Sequence, residues 1–181
     1  VAAELVDGAS SDVSGRLAAL AVSSVLVPPA PAGDAAAAAA RAVLVGHLDS
    51  TPGLARVTDN ETGTLWRVSP APRDDGTPGP AVVTAWARLL PSGADPADPT
   101  VPAAAVASDG RTVDATIAAG SAATPRSLVL AERADVGWHA TLDGHALRAV
   151  DAGWRQTFEV PASGGHLVVW YAPPLRTGWL W

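Results

Sequence analysis

The sequence predicts an α+β protein: a small amino-terminal α/β subdomain followed by an antiparallel β-sandwich, jelly-roll-like in plan. Three observations carry this. Hydrophobic residues form 48% of the 181-residue chain, enough for a core, and 17 glycines and 16 prolines supply turns for many short elements. The only long run of strong helix formers lies before residue 52. Beyond residue 80, apolar runs are short, alternate with period two and end in turn signals.

The first subdomain is assigned to residues 1–69. Ser11 or Asp12 caps a helix running to about residue 21, with Leu17 and Leu20 on its apolar face. Val25, Leu26 and Val27 form a short buried strand stopped by Pro28 and Pro29. "AGDAAAAAARAVLVGHLDSTPG" is a helix with Asp34 as N-cap and Pro52-Gly53 as its stop; Leu44, Val45 and Leu48 share a face. "LARVTDNETGTLWRVS" is a β-hairpin with arms 54–58 and 64–69, a turn region at Asp59-Asn60, and Gly63 beyond it.

Residues 70–80, "PAPRDDGTPGP", hold four prolines and two glycines without periodicity and read as a linker. The sandwich occupies 81–174. Its strands are expected at 81–90, 111–119 (with Val113, Ala115 and Ile117 on one face), 126–132, 154–160 and 166–172, with a loop at 91–100. Between them, "DVGWHATLDGHALRAVDAGW" crowds two of the four histidines, two tryptophans and three aspartates into residues 135–154.

That crowding resolves as a hairpin. Asp143-Gly144 suits a type I′ turn, which needs positive φ at both central residues. The flanking residues then face each other: Leu142 with His145, Ala140 with Leu147, Trp138 with Ala149, all on one face. The opposite face sets His139 across from Arg148. His139 and His145 point to opposite sides and cannot share a metal. On the next strand Trp154, Gln156, Phe158 and Val160 share the apolar face, with Gln156 as the one polar intruder.

Composition excludes several functions. A net charge of −6 and a pI near 5.0 oppose a nucleic-acid partner. With no cysteine there are no disulfides, thiolate metal sites or cysteine nucleophiles. No run reaches the roughly 18 apolar residues of a membrane span, and no signal peptide opens the chain. The nucleophile-elbow, H-E-x-x-H, P-loop, G-x-G-x-x-G and EF-hand patterns are absent. Asp74-Asp75 reads as a solvated loop; "ADPADPT" is fixed by its prolines and has no third carboxylate near in sequence to complete a calcium site. No catalytic residue, metal or cofactor is expected.

Seven of the nine aromatic residues are tryptophan. Trp faces stack on sugar C–H groups, but Trp86, Trp138 and Trp154 fall on apolar faces where they would build the core, and Trp170 shares parity with Val168. The candidate glycan or partner surface is the polar hairpin side: His139, Arg148 and Arg155, with Glu132 at a strand end. Trp179-Leu180-Trp181, in the 175–181 tail, suits a membrane–water interface and a chain cut just before a membrane span; the competing reading folds these rings back onto the domain.

"LVLAERADVGWHATLDGHALRAV" and "GWRQTFEVPASGGHLVVWY" resemble the extracytoplasmic domain of large polytopic bacterial membrane glycosyltransferases. The pattern L-x-L-x-E-x-x-D-x-G-W-x-A-x-x-D-G is met by Leu128, Leu130, Glu132, Asp135, Gly137, Trp138, Ala140, Asp143 and Gly144. "LAALAVSSVLVPP" and "TPGLARVTDNETGTLWRV" look like the matching α/β segment. The resemblance implies a noncatalytic domain on the extracytoplasmic face of the cell membrane, positioning acceptor glycan or a lipid-linked sugar, or bracing the membrane part, in cell-envelope polysaccharide synthesis. It carries no catalytic residue to this chain. The alternatives are an autonomous carbohydrate-binding module, which needs aromatic rings exposed in one groove, and an enzyme in its own right, which needs converging carboxylates or a Ser/His pair.

Overall fold

The structure is a computed structural model, and residues 13–69, 84–120 and 124–173 are described. The expected Ser11/Asp12 cap, Asp74-Asp75, the 70–80 linker and the 175–181 tail lie outside these residues. The fold is α+β: among the described residues there are two helices and twelve strands, the strands in three antiparallel sheets. The chain divides into two compact units, Val1–Thr84 with Ala97–Thr100, and Ala85–Pro96 with Val101–Trp181.

The first unit contains α1 (Val13–Ala19), β1 (Ser24–Val27), α2 (Ala35–Ser50), β2 (Leu54–Asn60) and β3 (Gly63–Val68). Asp34 caps α2 as its sequence position demands, its Oδ1 accepting from Ala37 N at 2.9 Å. The sheet order is β1-β3-β2. Trp66 of the central strand lies at the heart of a core with Val13, Leu17, Leu48, Leu54 and Val68. Two expectations are corrected here. β1 is an edge strand, so Val25 and Val27 are half-buried while Leu26 is 52% exposed. The hairpin turn falls at Glu61-Thr62, because Asn60 Oδ1 accepts from Thr62 N at 2.9 Å and lets Asn60 pair with Gly63.

A polar network seals this core. Trp66 Nε1 donates to Asp49 Oδ1 at 2.9 Å, and Arg56 Nε donates to the same oxygen at 3.0 Å. The hydrogen bond from Arg56 holds the Asp49 carboxyl below its ordinary 3.8, against the opposing effect of burial. A depressed carboxylate pKa stabilises the fold above the unfolded value and loses that contribution as pH falls through the folded value. Acidification below 3.8 is therefore expected to weaken the first unit and move the Trp66 indole N–H resonance in NMR spectra, and Asp49→Asn to remove both responses.

The second unit is a β-sandwich. Its strands are β4 (Ala87–Pro91), β5 (Ala104–Val106), β6 (Val113–Ile117), β7 (Arg126–Arg133), β8 (Trp138–Leu142), β9 (His145–Ala146), β10 (Ala149–Val150), β11 (Arg155–Val160) and β12 (Gly165–Tyr171). One sheet runs β10-β11-β7-β4-β5 and the other β6-β12-β8-β9. From β6 to β8 each strand lies in the other sheet from its predecessor, the alternation of a jelly roll. Leu89, Leu128, Leu130, Phe158 and Val160 of the first sheet meet Val113, Ile117, Ala140, Leu142, Leu167 and Val169 of the second. Period-two alternation along each strand sends these residues inward.

The Asp143-Gly144 turn forms as expected, with φ of 50° and 78°, and Leu142 pairs with His145. Beyond it the expected register fails. Leu147 N still donates to Ala140 O at 2.8 Å, but the chain then bends into the other sheet, where Ala149 pairs with Phe158. A strand that turns such a corner cannot keep one partner. Trp138 therefore does not face Ala149, and His139 does not face Arg148. The strand expected at 81–90 begins at Ala87, and the three-residue β5 carries too little pattern to have been read. Among the described residues no helix is long and apolar enough to cross a membrane.

Candidate functional site

The loop joining β7 to β8 contains Asp135-Val136-Gly137 and leads into Trp138, and side chains hold its backbone. Asp135 Oδ1 accepts from Gly137 N at 2.7 Å and from the Tyr171 hydroxyl at 3.2 Å. Such a bond to the backbone two residues on is what aspartate offers a turn. Asp135 N donates to Gln156 Oε1 at 3.1 Å, which explains the polar intruder: Gln156 is buried with a partner. Ala172 N donates to Gly137 O at 2.8 Å, bringing the end of β12 against the loop.

Gly137 is required by that approach. A Cβ there would stand 2.7 Å from both Ala172 O and Tyr171 Cε2, and neither the backbone nor the bonded ring can move away cheaply. Gly137→Ala is expected to lower sandwich stability by about 1–3 kcal/mol in urea denaturation, the cost of overpacking. It should also break the hydroxyl contact to Asp135.

The loop assembles three rings. Trp138 lies 5.7 Å from Trp86 at 57° and 5.0 Å, edge-on, from Tyr171. Trp86 and Trp138 pack on the sandwich core, while Tyr171 is 43% exposed. Trp86 Nε1 donates to Glu132 Oε1 at 3.1 Å. Arg111, Arg133, Glu132 and Asp135 join Trp138 and Tyr171 around a cleft of about 390 Å³. Arg111 is placed by its own turn, where Asp109 Oδ1 accepts from Arg111 N at 2.8 Å and Thr112 N at 2.7 Å. Those backbone bonds, Thr112 first, hold the Asp109 carboxyl below its ordinary value. Desolvation, reinforced by the Asp135 charge and hydrogen bond, raises the Tyr171 phenol above its ordinary 10.0.

Of the four residues expected to share a surface, Glu132 alone lines this cleft. Its partner is the Trp86 indole N–H. His139 lies on the outer face of the four-stranded sheet, stacked on Trp170 at 5.5 Å. Arg148 donates through Nε and Nη2 to Glu159 Oε2 at 3.1 and 2.6 Å, an exposed pair worth about 0–1 kcal/mol. Arg155 is 5% exposed, its pKa lowered by burial and partly restored by Asp95. The tryptophans also divide. Trp86 and Trp138 border the core as expected, Trp170 is 38% exposed and Trp154 54%, so the last two are not core.

Arg111 and Tyr171 were missed because each reaches the cleft through tertiary pairing. Tyr171 meets Trp138 only across the β12–β8 register. Among the described residues no group of three or more histidines and carboxylates is placed to hold a metal ion. The arrangement can stack a ring face on aromatic edges and meet hydroxyls with carboxylate acceptors and guanidinium donors. No family model, curated protein or solved structure matches the chain.

Proposed function

We propose that this chain is a noncatalytic, extracytoplasmic domain of a membrane-bound glycosyltransferase of cell-envelope polysaccharide synthesis, and that its sandwich positions acceptor glycan in the Trp138–Tyr171 cleft. The observation that carries the reading is the cleft: an exposed Tyr171 beside Trp138, ringed by two carboxylates and two arginines. A pyranose offers apolar C–H faces to the rings and hydroxyls to the charged rim, and a cleft of about 390 Å³ falls in the usual range for small-ligand sites. The membrane and glycosyltransferase parts rest on the sequence resemblance. In this reading Glu132 and Asp135 accept hydrogen bonds from hydroxyls and do no acid–base chemistry. Both are already oriented, by Trp86 and by Gly137 N with Tyr171.

Titration of the chain with oligosaccharides released from bacterial cell-envelope polysaccharide, followed by calorimetry, is expected to give a Kd between about 1 mM and 1 μM. Tyr171→Ala should weaken it about tenfold, a loss of ~1.4 kcal/mol. Binding to none of the oligosaccharides would refute the glycan reading, and so would binding indifferent to Tyr171. Turnover of a glycan by the isolated chain would refute the noncatalytic role.

A further inference from the structure

We infer that the sandwich docks on a lipid bilayer by one end, with Val136 and Trp154 entering the boundary between headgroups and acyl chains. The inference rests on the membrane premise of the reading above but needs no glycan in the cleft. Val136, Trp154, Trp170 and Tyr171 are the large hydrophobic side chains that the second unit exposes among its described residues. All stand at the same end of the sandwich: Val136 on the β7–β8 loop, Trp154 just before β11, Trp170 and Tyr171 at the close of β12. The pairing brings these points together, since Tyr171 lies opposite Trp138 at the start of β8 and Arg155 opposite Arg133 at the end of β7. The opposite end, with the Asp143-Gly144 turn and Gly165 at the start of β12, exposes none among the described residues.

The loops at this end form one prebuilt tip. Ala134 N donates to Trp154 O at 2.8 Å, Asp135 N to Gln156 Oε1 at 3.1 Å, and Ala172 N to Gly137 O at 2.8 Å. Their backbones are tied to one another, so little ordering is left to be done on contact. Val136 is 81% exposed and contributes nothing to the core. Trp154 pairs an apolar ring with the Arg155 guanidinium 5.0 Å away. Such amphipathic rings concentrate where a bilayer meets water. The chain also leaves β12 at this end, and the sequence that follows carries Trp179, Leu180 and Trp181.

Charge does not drive the docking. Around the cleft Arg111 and Arg133 are matched by Glu132 and Asp135. The buried Arg88 and Arg155 add two cations, and the Asp95 charge acts on Arg155. Asp109 and Asp151 lie in the adjoining turns. The carboxylates at least equal the guanidiniums, so acidic lipid gains nothing here, whereas each uncompensated basic residue would strengthen binding to it about fivefold. Four partly covered side chains do not by themselves reach the roughly 800 Å² per partner of a stable protein interface. Insertion at a bilayer instead scales with whatever apolar area enters it.

The test is co-sedimentation of the chain with vesicles of phosphatidylcholine alone and of phosphatidylcholine mixed with phosphatidylglycerol. NMR spectra with and without a spin-labelled lipid in the vesicles locate the contact. The chain is expected to partition onto both vesicles alike, and the spin label to broaden the amides of Val136 and Trp154 but not those of His145 and Gly165. Val136→Asp and Trp154→Ala should each weaken partitioning about tenfold, the loss of one buried large side chain. Both variants should keep the parent's dispersed spectrum, since neither residue belongs to the core. Absence of co-sedimentation with both vesicles overturns the inference and leaves this end to a protein contact. Partitioning that needs phosphatidylglycerol overturns it too, as does broadening centred elsewhere or partitioning unaltered by either variant. The Tyr171-dependent glycan titration contains no lipid, so each reading can fail alone: docking without glycan binding removes the cleft's role, and glycan binding without docking removes this one.

Discussion

Replacing Trp66 with alanine is expected to lower the stability of the first unit by about 3–5 kcal/mol, the usual cost of emptying a large aromatic site. Trp66 is fully buried at 0% exposure on the central strand of a three-stranded sheet, so walls on several sides lose contact together. The loss is also polar. Asp49 Oδ1 would keep its bond from Arg56 but lose the one from the indole, and the Arg56 guanidinium would lose the ring 5.7 Å beneath it. Domains of ordinary size hold only about 5–15 kcal/mol, and a unit this small lies toward the lower end. The expected result is a first unit largely unfolded at room temperature, read as loss of its dispersed NMR signals. Trp66→Phe should keep most of the packing and forfeit the hydrogen bond to a charged group, about 1.5–3 kcal/mol. A Trp66→Ala variant as stable as the parent would mean that this core is not what holds the unit.

The features legible in the sequence were those decided within a few residues. Asp34 caps α2 because its side chain reaches Ala37 N, and Asp143-Gly144 turns the chain because both residues accept positive φ. Alternation named Val113 and Ile117 as core residues before their partners were known. What failed depended on neighbours distant in sequence. Leu26 is apolar, but its strand has a neighbour on one side only. The hairpin after Leu147 was extrapolated through a bend into the other sheet, and the candidate surface built on it, with His139 facing Arg148, went with that register. At the cleft, the Asp-x-Gly-Trp signature was visible. Its reason was not: Gly137 is small because Tyr171 lies against it. The buried Thr157 hydroxyl, without a hydrogen-bond partner among the described residues, had no local signal, since such a group is defined by what surrounds it.

Phe158→Ala and Trp154→Ala separate the two kinds of reading on one segment. Strict alternation puts both rings on the same apolar face, and on that ground either truncation would cost about 3–5 kcal/mol. The structure interrupts the alternation: the β11–β7 register shifts between Arg155 and Thr157. A bulge turns the residues before it relative to those after it. Phe158 stays inward at 1% exposure; Arg155 is buried at 5%; Trp154 is left 54% exposed, with the Arg155 guanidinium 5.0 Å from its ring. Phe158→Ala is therefore expected to lose the full 3–5 kcal/mol or so, because it leaves a cavity between two sheets whose backbones are fixed by hydrogen bonds. Trp154→Ala forfeits mainly the cation–π contact, about 0.5–1 kcal/mol at an exposed position. Urea denaturation of both variants, monitored by circular dichroism, measures the difference. Equal losses would restore the unbroken strand and put Trp154 back in the core; a small loss at Phe158 would mean that the two sheets are not held together by the residues between them.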